Sequence, residues 1–412
     1  MDRTGCAVVG GGPAGMVLGL LLARAGIPVT VLEKHADFLR DFRGDTVHAS
    51  TLTLLDELGL ADAFATLPAR FIDRATVDLD AGSATFELSH LPGAHQHIAL
   101  VPQWDFLEML ATEAQREPSF TLLRNAEVTG LLTERGRVTG VRYRDRTNPH
   151  EEHELAAKLT VACDGRGSTV REAAGLRPRS FGVPMDVYWF RLPRREDDPI
   201  GVVGRFSTGH VAVMLDRRDY WQCAYLIRKG SDARMRAAGI QTLRDEFAGL
   251  VPWTADRLDA IAGWDEVKLL DVRLDRLRRW YADGLLLVGD AAHAMSPVGG
   301  VGINLAVADA VAAARLLAGP LRARQEVTRA ELRRVQARRW WPTALIQGGQ
   351  RLAHRFVLGR TLAEKPSDRP TPAAKLPLPV RLLRRVPALQ AIPGYLVAIG
   401  PLPEHAPSWA RR

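Results

Sequence analysis

Hydrophobic and polar positions alternate along this chain in distinct regimes. Residues 5–33 hold a short apolar run, CAVVG, then a glycine-rich turn. Pro13–Arg24 follows with apolar side chains at helical spacing, then Gly26 and a second apolar run, PVTVLE. Short apolar runs read as buried strands and a glycine after a periodic segment ends a helix, so the pattern predicts strand–turn–helix–strand. Residues 71–101 and 183–275 differ. Segments such as VYWFRL, HVAVMLD and QCAYLIR are short, β-branched and aromatic, which predicts a mostly antiparallel sheet. Residues 284–289 (GLLLVG) read as a further buried strand, followed by a loop and an alanine-rich helix, Leu305–Leu317. Residues 328–360 suggest a long basic helix, and the proline-laden stretch 366–407 is expected to be irregular.

Composition narrows the class. The chain has 412 residues, 46% of them hydrophobic, enough for a sizeable core. No run reaches 18 consecutive apolar residues, so no transmembrane helix is expected. The first residues lack a basic, then apolar, leader and read as unprocessed. Cys6, Cys163 and Cys223 are sparse and scattered, which fits free thiols in a reducing cytoplasm and offers no metal site. The net charge of +8 is uneven: residues 320–412 hold 18 Lys+Arg and 5 Asp+Glu, and the rest of the chain is slightly acidic. The plain reading is a solvated arginine-rich helix face. Peripheral contact with an anionic membrane or an acidic partner stands beside it, with Arg381, Arg384 and Arg385 among the apolar residues of Leu376–Ile399. No nucleic-acid partner is expected.

The first turn carries chemistry. Gly10, Gly12 and Gly15 form G-x-G-x-x-G, with Pro13 and Ala14 opening the helix. In such a turn the first glycine permits the sharp bend and the second lets backbone approach a pyrophosphate at the helix N-terminus. The third allows close helix–strand packing. Glu33, followed by Lys34, ends the second strand about 20 residues on, where a carboxylate bonds a free ribose hydroxyl. FAD and NAD(H) both satisfy this fingerprint. A second copy of it is absent, which disfavours reductases with two Rossmann domains.

Two further motifs decide between the cofactors. Cys163-Asp164-Gly165, then Arg166, Ser168 and Arg171, resembles the DG motif of the aromatic-ring flavin hydroxylases. Gly289-Asp290-Ala291-Ala292-His293, then Pro297, Gly299, Gly300, Gly302 and Asn304, resembles their GD motif. With the N-terminal glycines they are similar, over roughly residues 5–320, to the superfamily of para-hydroxybenzoate and ubiquinone-biosynthesis hydroxylases. The resemblance implies an α/β fold. A Rossmann-type FAD domain (1–70, 98–182 and 276–325) would carry an inserted, mostly antiparallel sheet domain for the substrate (71–97 and 183–275). A basic helical and irregular region (326–412) would complete it.

The same resemblance implies non-covalent FAD, with NADPH or NADH as transient co-substrate. Asp290 would hold the ribityl chain, and Pro297, Gly300, Val301, Gly302, Ile303 and Asn304 the flavin edge. Val301 stands where many members have Gln, but contact there is through backbone. Arg43 and Gln103 match positions that touch FAD, and Val128 would meet adenine through its backbone. Asp164 and Gly165 would support both nucleotides, with Arg166 and Arg171 near the nicotinamide nucleotide's phosphates. In the implied reaction NAD(P)H reduces FAD, O₂ adds at flavin C4a, and one oxygen passes to an aromatic or polycyclic substrate. The cofactor performs the hard step, so no side chain is assigned as catalytic acid or base.

Substrate candidates are His48, Tyr188, His210 and Tyr220, among the aromatic residues that also include Trp189, Phe190, Trp221 and Tyr225. Each has a plainer reading as core, and His293 reads as a structural part of its motif. A dehydrogenase or reductase on the same fold would share every cofactor motif, and a non-catalytic escort protein is the remoter alternative. A halogenase is disfavoured, since Trp340-Trp341-Pro342 does not match Trp-x-Trp-x-Ile-Pro.

Overall fold

The two N-terminal apolar runs become neighbouring parallel strands, Asp2–Val9 and Val29–Leu32, with the helix Pro13–Arg24 crossing between them. The computed structural model describes residues 2–39, 46–79, 82–323, 326–358, 361–362 and 394–412. Among them the first sheet has eight strands. Its parallel part runs in the order Leu285–Leu287, Asn148–Ala162, Asp2–Val9, Val29–Leu32, Phe120–Leu123. The strands Ala126–Glu134 and Arg137–Asp145 lead into Asn148–Ala162 as an antiparallel meander.

The continuous apolar character of the first strand follows from burial on both faces. Cys6 and Val8 meet the helices Pro13–Arg24, Gln103–Gln115 and Gly302–Ala323 through side chains such as Leu18, Phe106 and Val311. Ala7 and Val9 meet Val128, Val141 and Trp280 on the opposite side. Gly302–Ala323 starts earlier and ends later than the spacing suggested. It is long and apolar enough to cross a membrane, yet 72% of that apolar stretch is buried inside the protein.

Among the described residues the second sheet has seven strands. Their order is Lys268–Leu270, Met185–Pro193, Tyr220–Arg228, His210–Asp216, Val202–Ser207, Arg74–Leu79, Gly82–Glu87. All pairings are antiparallel except that of Val202–Ser207 with Arg74–Leu79. Two expectations change. Arg70–Ile72 and Thr46–Val47 both pair with Ile98–Leu100 in a separate small sheet. And 183–275 is not all sheet: Asp232–Ala238, Ile240–Leu250 and Pro252–Ala260 are helical. Leu243, Phe247 and Leu250 stand at i, i+4 and i+7, a helical spacing, and cover Tyr188, Phe190 and Leu192 on one face of the sheet.

The basic helix forms as Arg329–Ala353, with a capping box in which Thr328 and Glu331 bond each other's backbone. Residues 363–393, which include Arg381, Arg384 and Arg385, lie outside the described part, as does Arg43. Residues 394–398 are helical, where irregular chain was expected.

A buried ionic chain ties this C-terminal part to the GD motif. Asp309 accepts the Gly289 N–H at 3.0 Å, His293 Nε2 at 2.6 Å and Arg339 Nε at 3.0 Å. Arg339 in turn reaches Leu402 O at 3.0 Å and Glu404 at 3.4 Å. Burial alone would push the Asp309 carboxyl up. The His293 and Arg339 charges and the hydrogen bonds outweigh it and hold the group below its ordinary range. Its stabilisation is therefore present above the ordinary carboxylate pKa and is lost as pH falls through the lowered one. Replacing Arg339→Met leaves that carboxylate buried without one of its two charged partners, which should cost about 3 kcal/mol in denaturant unfolding at pH 7. The gap to wild type should narrow on acidification, as Asp309 protonates in both proteins. A loss below about 1 kcal/mol at pH 7 would mean the pair contributes no more than a surface ion pair.

Candidate active site

The fingerprint turn borders a continuous cavity of about 2030 Å³ that reaches to the second sheet. An ordinary small-molecule site is roughly 300–1,000 Å³, so there is room for a dinucleotide and a second ligand. The turn's three glycines have different physical reasons. A Cβ on Gly15 would lie 1.9 Å from the Gly10 carbonyl oxygen, and one on Gly10, at φ +102°, 2.6 Å from the Cys163 carbonyl. Packing within the protein excludes side chains at both. At Gly12 a Cβ would meet nothing within 4 Å, and the position borders the cavity. No packing within the protein excludes a side chain at Gly12, and the open space there, at a helix N-terminus, suits a pyrophosphate.

The other expected cofactor residues sort by position. Pro13, Ala14, Lys34, Gln103 and Val128 border the cavity. So does Glu33, 2% exposed, whose carboxylate accepts the N–H groups of Gly11 at 2.9 Å and His35 at 3.0 Å. Asp164 and Gly165 form the cavity rim where the strand Asn148–Ala162 ends. Asp164 Oδ2 accepts the Val170 N–H at 3.1 Å, while Oδ1 is buried with no partner. Burial pushes this carboxyl up, only partly relieved by Ser168 and Val170. A buried, unpaired acceptor beside the nucleotide turn fits a ligand's hydroxyl groups.

In the GD segment Asp290, Pro297, Gly300, Gly302 and Ile303 border the cavity, and the helix N-terminus at Gly302 turns its positive end toward it. Val301 and Asn304 point elsewhere. Val301 packs with Met295 and Leu305. The Asn304 amide oxygen accepts the His48 N–H at 3.0 Å and the Thr51 hydroxyl at 2.7 Å. The Thr46 hydroxyl donates to Gly300 O at 2.9 Å, and Gly300, at φ +63°, has no room for a Cβ against Thr46. The segment that follows residue 45 is thus sewn to the GD loop at the cavity edge.

Arg166 borders the cavity, donating to Asp271 O at 3.0 Å with its Nε 4.0 Å from Asp290. Arg171 is placed differently from expectation. It is buried, its guanidinium donates to Ala291 O at 3.0 Å and Arg166 O at 2.6 Å, and it braces the DG loop against the GD turn. His293, as expected, is a buried structural partner of Asp309.

Two substrate candidates, Tyr188 and His210, face the wrong side of the sheet. Tyr188 is fully buried under the helical layer, its hydroxyl donating to Asp232 at 2.8 Å. The His210 ring bonds the Tyr225 hydroxyl at 2.6 Å, which donates to Glu246 at 2.8 Å. Tyr220 shares the face of Gln222 and Ala224 and lies under the Arg191 guanidinium at 4.7 Å, but it does not border the cavity. Strand alternation explains the miss: one residue along, Val187, Trp189 and Arg191 face the cavity, as do Phe206, Val213 and Gln222. The helical spacing of Leu243, Phe247 and Leu250 was the signal for which face is covered. His48 does border the cavity, fully buried.

A Rossmann turn with an unfilled glycine, an acid after the second strand, and DG and GD loops meeting at one cavity define an FAD-binding oxidoreductase. The chain belongs to the FAD-binding-domain family, whose model matches residues 3–337. It uses FAD with NAD(P)H as co-substrate, within the FAD-dependent aromatic hydroxylase superfamily. A 6-methylpretetramide 4-monooxygenase of Streptomyces rimosus is 31% identical over 95% of this chain and 91% of its own length. A 12-dehydrotetracycline 5-monooxygenase/anhydrotetracycline 6-monooxygenase from the same species is 29% identical over 74% of this chain, which spans 60% of that longer relative. The solved structure of an S. rimosus anhydrotetracycline hydroxylase superposes with a TM-score of 0.74 at 24% identity, covering 96% of this chain and 76% of that one, a likeness of fold.

The glycine contrast is testable. Gly12→Val should fill the pyrophosphate place and abolish FAD retention while leaving apoprotein unfolding temperature within about 2 °C, since surface-like changes cost little. Gly15→Val should instead unfold the apoprotein itself. Full FAD occupancy in the Gly12→Val protein, read by absorbance after gel filtration, would remove the cofactor from this turn.

Proposed function

We propose that the protein is a single-component monooxygenase that uses NAD(P)H and O₂ to hydroxylate a fused-ring aromatic small molecule. The observation that carries the reading is the second half of the cavity. Beyond the cofactor place it is walled by Val187, Phe206, Val211, Val213, Leu226 and Leu270, a flat apolar sheet face suited to a planar ring system. The relatives named for 6-methylpretetramide and anhydrotetracycline support a substrate of that kind.

When bound, FAD supplies hydride acceptance and the activation of O₂. The chain supplies position, charge and dryness. The N-terminus of Gly302–Ala323 favours negative charge at the flavin edge. The valine- and leucine-lined wall keeps water from the oxygen-transfer zone. Arg166, at the rim, is the proposed contact for the nicotinamide nucleotide's phosphates, a role its buried neighbour Arg171 does not share.

The deciding assay is NAD(P)H oxidation by the yellow holoenzyme against a panel of polycyclic phenols, under ¹⁸O₂, with product mass analysis. Oxidation should be slow alone, faster with substrate, and the product should gain one labelled oxygen. Arg166→Ala should raise the KM for NAD(P)H about ten-fold, the worth of a lost charge-assisted contact, with FAD content retained. Substrate-dependent reduction with no labelled product would hand the protein to the dehydrogenase or reductase class.

The outer face of Arg329–Ala353 supports a second, weaker contact. Trp341, Leu345 and Leu352 are 44%, 49% and 59% exposed, among the exposed side chains of Arg334, Arg351 and Arg355. This apolar and cationic stripe suits an anionic membrane surface. Holoenzyme should co-sediment with phosphatidylglycerol vesicles and not with phosphatidylcholine vesicles, and Trp341→Glu should abolish it; equal pelleting with both, or with neither, defeats the idea.

A further inference from the structure

Besides Asp164 Oδ1, two buried polar atoms beside the cavity have no hydrogen-bond partner among the described residues. The first belongs to His48. Its Nδ1 lies 2.7 Å from the Val397 carbonyl oxygen, which only accepts, so Nδ1 carries the proton. Nε2 is then a bare acceptor, buried and unpartnered. Burial, against the pull of the Val397 bond, holds the imidazole pKa down to about 4, so the ring is neutral at physiological pH. The second atom is Trp189 Nε1, an obligate donor, also buried and unpartnered. Trp189 sits on the cavity face of the strand Met185–Pro193, between Ala224 and Lys268 on the neighbouring strands. The acceptor lies on the wall sewn to the GD loop, the donor on the sheet wall, and the surface between them is largely apolar.

Native proteins rarely leave buried polar groups unpaired, because each costs roughly 1–3 kcal/mol. Both residues border the one continuous cavity, His48 on the wall sewn to the GD loop and Trp189 on the sheet wall that the monooxygenase reading gives to the substrate. We propose that they are its two polar anchors: His48 Nε2 accepts a hydrogen bond from a phenolic or enolic hydroxyl, and Trp189 Nε1 donates to a ring carbonyl oxygen. The substrate is therefore a fused-ring hydroxy-carbonyl compound. A hydroxyl donor at one end and a carbonyl acceptor at the other also fix the ring's orientation against the flavin edge. A site built this way rejects analogues that lack the hydroxyl, since the acceptor is then left bare. The inference rests on the proposed function for the ring system alone.

The test is ligand binding to FAD-loaded protein without NAD(P)H, followed by the perturbation of flavin absorbance. The probes are 2,6-dihydroxyanthraquinone, 2,6-dimethoxyanthraquinone and anthraquinone, at pH 6, where a histidine held near 4 remains an acceptor. Wild type should bind the dihydroxy compound about ten-fold or more tighter than the dimethoxy one. His48→Asn keeps a donor for Val397 O but, being shorter, withdraws any acceptor from the Nε2 position, so the two affinities should become equal with FAD content unchanged. Trp189→Phe keeps the ring and removes only the N–H; all three quinones should weaken by a similar factor of about five to ten, with the hydroxyl preference intact. A preference that survives His48→Asn, affinities untouched by Trp189→Phe, or a wild type that binds none of the probes or does not discriminate would overturn the proposal. So would loss of FAD from His48→Asn, which would assign that nitrogen to the cofactor. No turnover is involved, so failure here leaves the labelled-oxygen result standing, and the reverse holds as well.

Discussion

The contact between Gly15 and the Gly10 carbonyl is the constraint on which the site depends. A single methyl there would sit 1.9 Å from that oxygen, far inside van der Waals contact. The helix Pro13–Arg24 therefore starts as close to the first strand as backbone allows. That closeness leaves Gly12 facing open space and sets the helix N-terminus at the cavity edge. Gly10 is pressed in the same way against Cys163, one residue before Asp164. The nucleotide turn and the DG loop are thus positioned against each other by backbone contact, with no side chain between them to drift.

The GD-loop end of the cavity is held from two sides. Asp309 anchors the GD turn from beneath through Gly289 and His293, and Arg339 carries that anchor to the C-terminal segment at Leu402 and Glu404. From above, Asn304 and Gly300 are stitched to Thr46, His48 and Thr51. Residues brought together here are some 250 apart in sequence. A loop clamped this way presents a fixed edge to whatever binds, which is what oxygen transfer to a substrate in near contact requires. It also explains Asn304 itself. The side chain works on the protein's own loop, and the cofactor-facing surface is left to the glycines.

The cofactor half of the site was legible from the chain because its signals are local. Gly10, Gly12 and Gly15 fall within six residues of one turn, Glu33 closes the next strand, and each motif follows a short apolar run that reads as a buried strand. The substrate half was not. Tyr188 and Trp189 are adjacent, equally aromatic and equally plausible, and the sheet sends them to opposite faces. Which face meets the cavity depends on where Leu243, Phe247 and Leu250 pack, and those lie more than 50 residues further on. Arg171 shows the same limit. Next to a nucleotide motif its charge suggests phosphate, but the tertiary structure surrounds it with carbonyl oxygens.

By itself the sequence determined the class of protein and the turn and loops that border its large cavity. Turn geometry, helix start and strand burial are imposed by residues within a few positions of one another, and glycine, proline and apolar runs state them directly. Only the tertiary structure decided which side of the inserted sheet receives the substrate, that Arg171 is a brace, and that His48 and Trp189 bring an unpaired acceptor and an unpaired donor to one cavity. The reason is physical: a hydrogen bond is found wanting only when every neighbour of the buried atom is known, and those neighbours come from chain hundreds of residues away.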